Sequence, residues 1–467
     1  MKNILYYLLS IAILFASCSK SDSEPDPDPD PKPEIKSVVS TRTSLTLNIG
    51  DERQLDFKAK MSDGTEEDYD MSENILEIEL SSLNPQIVEV DALGKIRALD
   101  SGTTSIQGKS LLREDITLSV KITVNAPKLY DLSRKFSSDM KVGTFHAGGY
   151  DSQCFDIDSK GNIYFAFSKS VGHRGYLGIM RMSPSGETSQ EMILYYAYHG
   201  TSFSIEEVGN DVYIWTSTFG TKSSDGTYGN SQMFCRIKFE PGKEYTPEDI
   251  AEKCFYRSDI ANVNVSRDRK SGRIAVQFTQ SVTEGGKSYT HRVDIFSADA
   301  LLSAPLKQVT TKTMTRGGDW KGPLTTERSE TSTVTAHDLT SIKPEATFRY
   351  INKEVYGEGK DSSGKSGVKS FQGFCFFDGY VYVASDRNRY TRDATLTKLS
   401  LDGKLVHGPT HMTFVDDIDA IRKCGLVGAD TYLEVEGIQI VDNSLHIGCL
   451  SWDSTGCFNS VINAYPR

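Results

Sequence analysis

Four polar residues stand where strand-like apolar runs begin in the later two thirds of the chain. They are Gln153 in "QCFDID", His199 in "YHGTSFSIEE", Gln372 in "QGFCFFDG" and Glu436 in "EGIQIV". Amide and carboxylate groups form hydrogen bonds with sugar hydroxyls, and a histidine donates or accepts a hydrogen bond near neutral pH. If the fold brings these strand starts together, the four residues form a carbohydrate-binding site. The alternative is that they only tie neighbouring strands together.

Aromatic and acidic residues add to this set. Trp320 lies in the polar segment "RGGDWKG", where no core requires it, and aromatic faces stack on sugar rings. Trp215 lies within a strand and is expected in the core. A glycoside hydrolase would need two carboxylates about 5 to 10 Å apart. The acids available for that role are Glu206, Asp386, Glu434 and Glu436.

No catalytic or metal-binding motif accompanies these residues. The sequence contains no GxSxG, P-loop, HExxH or CxxC pattern. We therefore assign no catalytic residue, cofactor or metal from the sequence. An enzyme remains an open alternative, because the distance between acids on different strands cannot be obtained from sequence.

A repeated strand pattern is expected to position the candidate residues. Apolar strands separated by tight turns recur five times, and the repeats begin near Cys154, Phe203, Val263, Phe374 and Ile438. One interval between these starts is about twice as long as the others. A strand-rich repeat of about 50 residues is typical of a β-propeller, whose inner strands line a central channel. The strand starts then meet at one mouth of that channel.

The longest interval contains a segment, residues 312–367, with little strand alternation. We predict that this segment is an insertion, which leaves five blades; six blades remain the alternative. The run "LYDLSRKFSSDMKVGTF" is expected to supply the outermost strand of the last blade and so close the ring.

Residues 35–126 alternate between apolar and polar side chains, with turns every eight to twelve residues, which predicts a β-sandwich. The stretch "SSLNPQIVEVDALGKIRALDSGTTSI" resembles the core of bacterial Ig-like group 2 domains. The matching positions include Asn84, Val88, Gly94 and Ile106. The resemblance implies a spacer, or an adhesive module. The predicted fold class is therefore all-β: an Ig-like β-sandwich followed by a five-bladed β-propeller over residues 127–467.

Three stretches of the propeller region resemble a known family: "YHGTSFSIEEVGNDVYIWTST", "QGFCFFDGYVYVASDRN" and "EVEGIQIVDNSLHIG". The family is the propeller shared by teichoic-acid biosynthesis C-type proteins, helveticin-like bacteriocins and phage receptor-binding proteins. Tyr198 stands where the family typically has glycine. The resemblance implies binding of a glycan or cell-surface glycopolymer rather than a defined reaction.

The N-terminus resembles that of a bacterial lipoprotein. Lys2 and an apolar run through Phe15 form a signal peptide over residues 1–17, and "FASC" ends at Cys18, the expected lipidation site. A Pro/Asp-rich segment, residues 18–34, is predicted to be a disordered stalk. Acids behind the cysteine resemble the export signal of Bacteroidota-type surface lipoproteins. We expect a lipid-anchored outer-membrane protein that faces the medium, and the lipid is the only membrane contact that we predict.

Composition agrees with this assignment. The net charge of −11 argues against nucleic acid as a partner. Of eight cysteines, Cys154, Cys375 and Cys449 lie in apolar strands and are expected to be buried. The sequence thus supports a cell-surface lipoprotein that binds carbohydrate or mediates adhesion. A propeller-fold hydrolase or lyase, and a scaffold without any ligand, stay open.

Overall fold

The structure, a computed structural model, describes most of the chain beyond the predicted stalk. The described residues are 33–48, 51–125, 141–146, 150–169, 176–184, 189–197, 199–221, 230–317, 326–387, 392–416, 419, 433–453 and 456–465. Predictions for Cys18, for the signal peptide and for nearly all of the stalk therefore lie outside the described residues, as does the prediction for Trp320. None of the helices in the described residues has both the length and the apolar character needed to cross a membrane.

Ten strands form the first domain, in three sheets that surround one apolar core. Val88, Ile96 and Ile106, which carry the predicted pattern, are all fully buried there. The specific assignment to bacterial Ig-like group 2 remains a prediction. In order across each sheet, the strands are Ile35–Ser40, Phe57–Met61 and Glu66–Tyr69; Ser44–Asn48, Thr117–Asn125, Gly102–Ser110 and Ile78–Ser82; and Glu52–Gln54, Lys95–Ala98 and Val88–Val90.

The second domain is a five-bladed β-propeller, as predicted. From the inside outwards, blade 1 comprises Tyr150–Ile157, Ile163–Lys169, Tyr176–Met182 and Ser189–Tyr195, with Glu244–Tyr245 added at its edge. Blade 2 begins with Phe203–Val208, Asp211–Thr221, Asn230–Lys238 and Cys254–Tyr256. Blade 3 comprises Asn264–Arg267, Ile274–Glu284, Lys287–Phe296 and Ala346–Tyr350. Blade 4 comprises Ser370–Phe377, Tyr380–Asp386, Thr395–Leu399 and Leu405–His411. Blade 5 comprises Leu433–Val441, Ser444–Asp453, Gly456–Tyr465 and Lys141–His146.

The ring of blades is closed. Each inner strand contacts the inner strands of the two neighbouring blades, and the inner strand of blade 5 contacts that of blade 1. Five apolar clusters fill the five gaps between neighbouring blades. Lys141–His146 pairs antiparallel with Gly456–Tyr465, so the strand that precedes blade 1 completes blade 5. The predicted closure of the ring by this strand is confirmed.

The predicted insertion at 312–367 is partly wrong. A long hairpin, Leu306–Gly317 with Thr326–Asp338, extends the sheet of blade 2, and Ala346–Tyr350 is the outer strand of blade 3. The hairpin packs through Met314 on Tyr195 and Tyr196 of blade 1. Its strands were missed because the residues that they bury include the polar Thr311, Thr313 and Asp338 beside Val309 and Ala336, which weakens the apolar alternation.

The remaining elements are short. The α-helices are Pro247–Ile250, Ala298–Leu302 and Asn352–Tyr356, and the 3₁₀ turns are Ala251–Lys253, Leu339–Ser341 and Thr413–Asp416. A two-stranded hairpin, Glu358–Lys360 with Ser366–Val368, precedes the inner strand of blade 4. Asp158 accepts hydrogen bonds from the backbone of Lys160 and Asn162 at 3.0 and 2.8 Å, so "DIDSKGN" is a hairpin turn.

Candidate functional site

A β-bulge interrupts the inner strand in three consecutive blades. Gln372 of blade 4 and Gln153 of blade 1 are each the extra residue opposite two adjacent partners. In blade 5, Glu436 and Gly437 together face Gly448. A bulge redirects the side chain it carries and is common beside functional sites. Three of the four strand-start candidates therefore occupy equivalent positions at the same end of the channel.

Close backbone packing requires a glycine beside the bulged side chain in blades 4 and 5. A Cβ added at Gly373 would lie 3.0 Å from the backbone nitrogen of Ile438. A Cβ added at Gly437 would lie 2.9 Å from the Cα of Cys154. Cys154 in turn donates a hydrogen bond from Sγ to the Gly200 carbonyl at 2.8 Å. The inner strands of blades 4, 5 and 1 thus touch directly, which holds the three bulged residues in fixed relative positions.

We refer to Gln153, Gln372, Glu434 and Glu436 as the mouth residues. Nε2 of Gln372 donates to Oε1 of Glu434 at 3.2 Å, which joins blade 4 to blade 5. Gln153, Glu434 and Glu436 are 6%, 8% and 5% exposed, and Gln372 is half-buried. Burial raises the pKa of the Cys154 thiol well above its usual range, and the charges of Asp156 and Glu436 add to this effect. The mouth therefore presents amide and carboxylate groups beside a neutral thiol.

A chain of polar and aromatic side chains continues from the mouth across blade 3. Thr201 donates to Asn264 at 2.8 Å, and Asn264 donates to Gln277 at 2.7 Å. Gln277 donates to the hydroxyls of Tyr350 and Tyr356. Sequence analysis missed these residues. Asn264 is a single polar residue at the start of its strand, and its partners Thr201 and Gln277 come from other segments of the chain.

The aromatic part of this chain reaches back to the mouth. The rings of Tyr356 and Phe371 meet edge to face with centroids 6.2 Å apart, and Phe371 directly precedes Gln372. His291 stacks on Tyr350 with ring centroids 5.2 Å apart. Burial lowers the pKa of His291 to about 4, so its imidazole is neutral near pH 7. Half-buried Phe371 and His291 are the accessible aromatic rings of this cluster.

The opposite end of the channel serves a structural purpose. Asp156 accepts a hydrogen bond from the backbone of Ile205 at 2.8 Å and pairs with Arg269, which also binds the Ile157 carbonyl. Ser266 accepts from the backbone of Phe376 at 2.8 Å. These contacts join blades 1, 2, 3 and 4.

The remaining sequence candidates lie in different surroundings. His199 is exposed in the loop that leads into blade 2, one residue before Gly200. Trp215 is fully buried, as predicted, and its Nε1 donates to Glu206 at 2.9 Å. Burial acts to raise the pKa of Glu206, but hydrogen bonds from Arg236 and Trp215 outweigh it and lower the pKa. Glu206 therefore stays ionised, which makes it unsuited to act as the proton donor of a hydrolase.

Within the described part of the chain, no group of three or more His, Cys, Asp or Glu side chains is arranged to hold a metal ion. Cys154, Cys375 and Cys449 are buried, as the sequence predicted for small apolar packing residues, and Cys154 and Cys375 form no disulfide. Cys235 and Cys254 are also buried and free.

Comparison with known proteins supports the propeller assignment. No curated protein matches this chain. Residues 152–252, which cover nearly all of blade 1 and the first three strands of blade 2, match a family described as "Phage 5-bladed beta propeller receptor binding platform domain".

Two solved structures show distant similarity. A tail fiber of a Staphylococcus aureus phage is 13% identical with a TM-score of 0.41, over 69% of this chain and 52% of the fiber. This chain thus spans about half the length of that fiber. An exo-beta-1,3-galactanase from Phanerochaete chrysosporium is 7% identical with a TM-score of 0.35, over 68% of this chain and 60% of the enzyme. These scores are too low to carry an argument about function. The strand topology and the family match assign the chain as an all-β protein with a five-bladed propeller.

Proposed function

We propose that this chain is a lipid-anchored surface protein whose propeller binds carbohydrate at the mouth residues. The observation that carries the proposal is the set of inner-strand bulges that places Gln153, Gln372 and Glu436 at one channel end. Amides and carboxylates offer both donors and acceptors to sugar hydroxyls, and Phe371 supplies an adjacent apolar face. The family matched by residues 152–252 is described as a receptor-binding platform, which supports a recognition role.

The N-terminal residues give the proposed location. Lipidation at Cys18 would anchor the chain to the outer membrane, and the Pro/Asp-rich stalk and first domain would separate the propeller from the lipid surface. In this arrangement the first domain is a spacer. The ligand would be a glycan or a cell-surface glycopolymer in the medium or on a neighbouring cell.

A glycan array followed by titration calorimetry tests the proposal on residues 33–467. Gln372→Ala removes the amide that contacts Glu434, and we expect about tenfold weaker binding of the selected glycan, as for loss of a hydrogen bond to a charged group. Gln308→Ala, at an exposed position on the blade 2 hairpin, is the matched control and is expected to bind normally. Absence of any glycan ligand, or equal binding by both variants, would contradict the proposal.

Two further measurements separate the alternatives. The double variant His199→Ala with Trp320→Ala is expected to weaken glycan binding and leave the melting temperature nearly unchanged. A reducing-end assay on the bound oligosaccharide distinguishes a binding protein from a hydrolase. New reducing ends that appear with the wild type and not with Glu436→Gln would favour the enzyme.

A further inference from the structure

The first domain contains a cleft that the proposed function does not use. It has a volume of about 490 Å³ and lies beside the strand Glu66–Tyr69. Its apolar lining includes Leu55, Phe57 and Met71, which are 4%, 3% and 6% exposed. Leu93 also lines the cleft and is 52% exposed, so an apolar side chain stands at an open rim. The volume falls within the range of known ligand sites.

The strand beside the cleft is the edge of its sheet. Among the described residues it pairs with Phe57–Met61 and with no other strand. The backbone of Met61 donates to the Thr65 carbonyl, and pairing continues as Ala59 with Glu67 and Phe57 with Tyr69. In an antiparallel ladder these hydrogen-bonded pairs alternate with non-bonded ones. The N–H and C=O groups of Glu66 and Asp68 therefore point towards the open edge.

The exposed side chains of this edge strand are acidic on both faces, because Glu67 shares the inner face with Tyr69. Glu66 and Asp68 share the outer face with Lys60 and Lys58, which contact them at 3.3 and 3.8 Å. Tyr69, on the opposite face, is 7% exposed and lines the cleft. Asp56 and Asp70 add two more carboxylates to the cleft lining. A strand added here would meet carboxylates on both sides, and on its inner side it would also face Tyr69 and the cleft.

We propose that the edge strand Glu66–Tyr69 and the adjacent cleft bind an extended basic peptide segment of a partner protein by strand addition. Main-chain hydrogen bonds to Glu66 and Asp68 hold the segment, and alternate side chains give specificity. Its outward residues are lysine or arginine, which pair with the two acids. Its inward residues are apolar and enter the cleft beside Leu93. This site lies outside the propeller, so its test is independent of glycan binding.

The probe is an acetylated, amidated peptide of sequence Lys-Val-Lys-Val-Lys carrying a fluorophore, and binding to residues 33–467 is followed by fluorescence anisotropy. We expect saturable binding that weakens with added salt, because the ion pairs are exposed. A Glu-Val-Glu-Val-Glu peptide has the same strand pattern and is expected to bind at least tenfold more weakly. A peptide with N-methyl groups on alternate amides, which cannot add as a strand, is expected to lose binding to the unmodified protein.

Two substitutions at Asp68 separate the contribution of its carboxylate to peptide binding from that of its backbone N–H. Asp68→Asn and Asp68→Pro both remove the carboxylate, but only proline also removes the N–H that faces the open edge. We expect the proline variant to bind the lysine peptide about fivefold more weakly than the asparagine variant, which corresponds to one hydrogen bond. Equal binding by the two variants, retained binding of the N-methylated peptide, or no binding by the wild type would overturn the proposal. The acids would then serve only to protect the edge from aggregation.

Discussion

Replacing Gly437 by alanine tests how tightly the ring of blades closes. Gly437 has φ +91°, and an added Cβ would lie 2.9 Å from Cys154 Cα and 3.1 Å from its Cβ. A side chain in left-handed backbone costs about 1–2 kcal/mol, and overpacking of a rigid contact costs about 1–3 kcal/mol more. We therefore expect Gly437→Ala to lower the free energy of unfolding of the propeller by about 3 kcal/mol.

Gly209→Ala is the matched control for this variant. Gly209 also has positive φ, +61°, but an added Cβ would meet no atom within 4 Å. It is expected to cost about 1 kcal/mol, from the backbone alone. Urea unfolding followed by tryptophan fluorescence reports the second domain selectively, since the chain has 3 tryptophans, Trp215, Trp320 and Trp452. If Gly437→Ala were no more destabilising than Gly209→Ala, blades 5 and 1 would not be in the close contact described.

Three other outcomes are expected. Because burial holds the pKa of His291 at about 4, below its usual 6.5, the folded state binds fewer protons, and stability falls as the pH drops from about 6.5 to 4. The urea midpoint of His291→Phe should fall less over that range; equal losses would exclude this histidine as the cause. Arg269→Met leaves Asp156 buried without its partner and should cost about 3–5 kcal/mol in urea unfolding, whereas a loss below about 1 kcal/mol would contradict the ion pair's role. Cys18→Ser should move the protein from the membrane fraction to the soluble fraction; continued membrane association would count against lipidation.

The blades could be predicted from sequence because their inner and second strands are apolar runs separated by tight turns. The residues from Phe203 and from Phe374 onwards show this, since both faces of each blade are packed against neighbours. The outer strand of blade 3, Ala346–Tyr350, was missed because it is only five residues long and follows the long hairpin. Its partner strand, Lys287–Phe296, lies far away along the chain, so the local sequence does not indicate this pairing.

The positions of the candidate residues could be predicted in part. Gln153, Gln372 and Glu436 were identified as polar residues at strand starts, but the bulges that align them depend on contacts between inner strands. A Gln-Gly or Glu-Gly pair signals such a bulge once the approach of the neighbouring backbone is known. The chain through Asn264 and Gln277 joins residues from separate segments, so local sequence gives no sign of it.

The central claim is that carbohydrate binds at the channel end formed by the bulged residues. A crystal structure of residues 33–467 with the oligosaccharide selected on the array tests it most directly. The account predicts sugar hydroxyls about 2.7–3.2 Å from the side chains of Gln372 and Glu436, with a sugar ring near Phe371. A sugar bound at the opposite channel end, or on the outer edge of a blade, would contradict it.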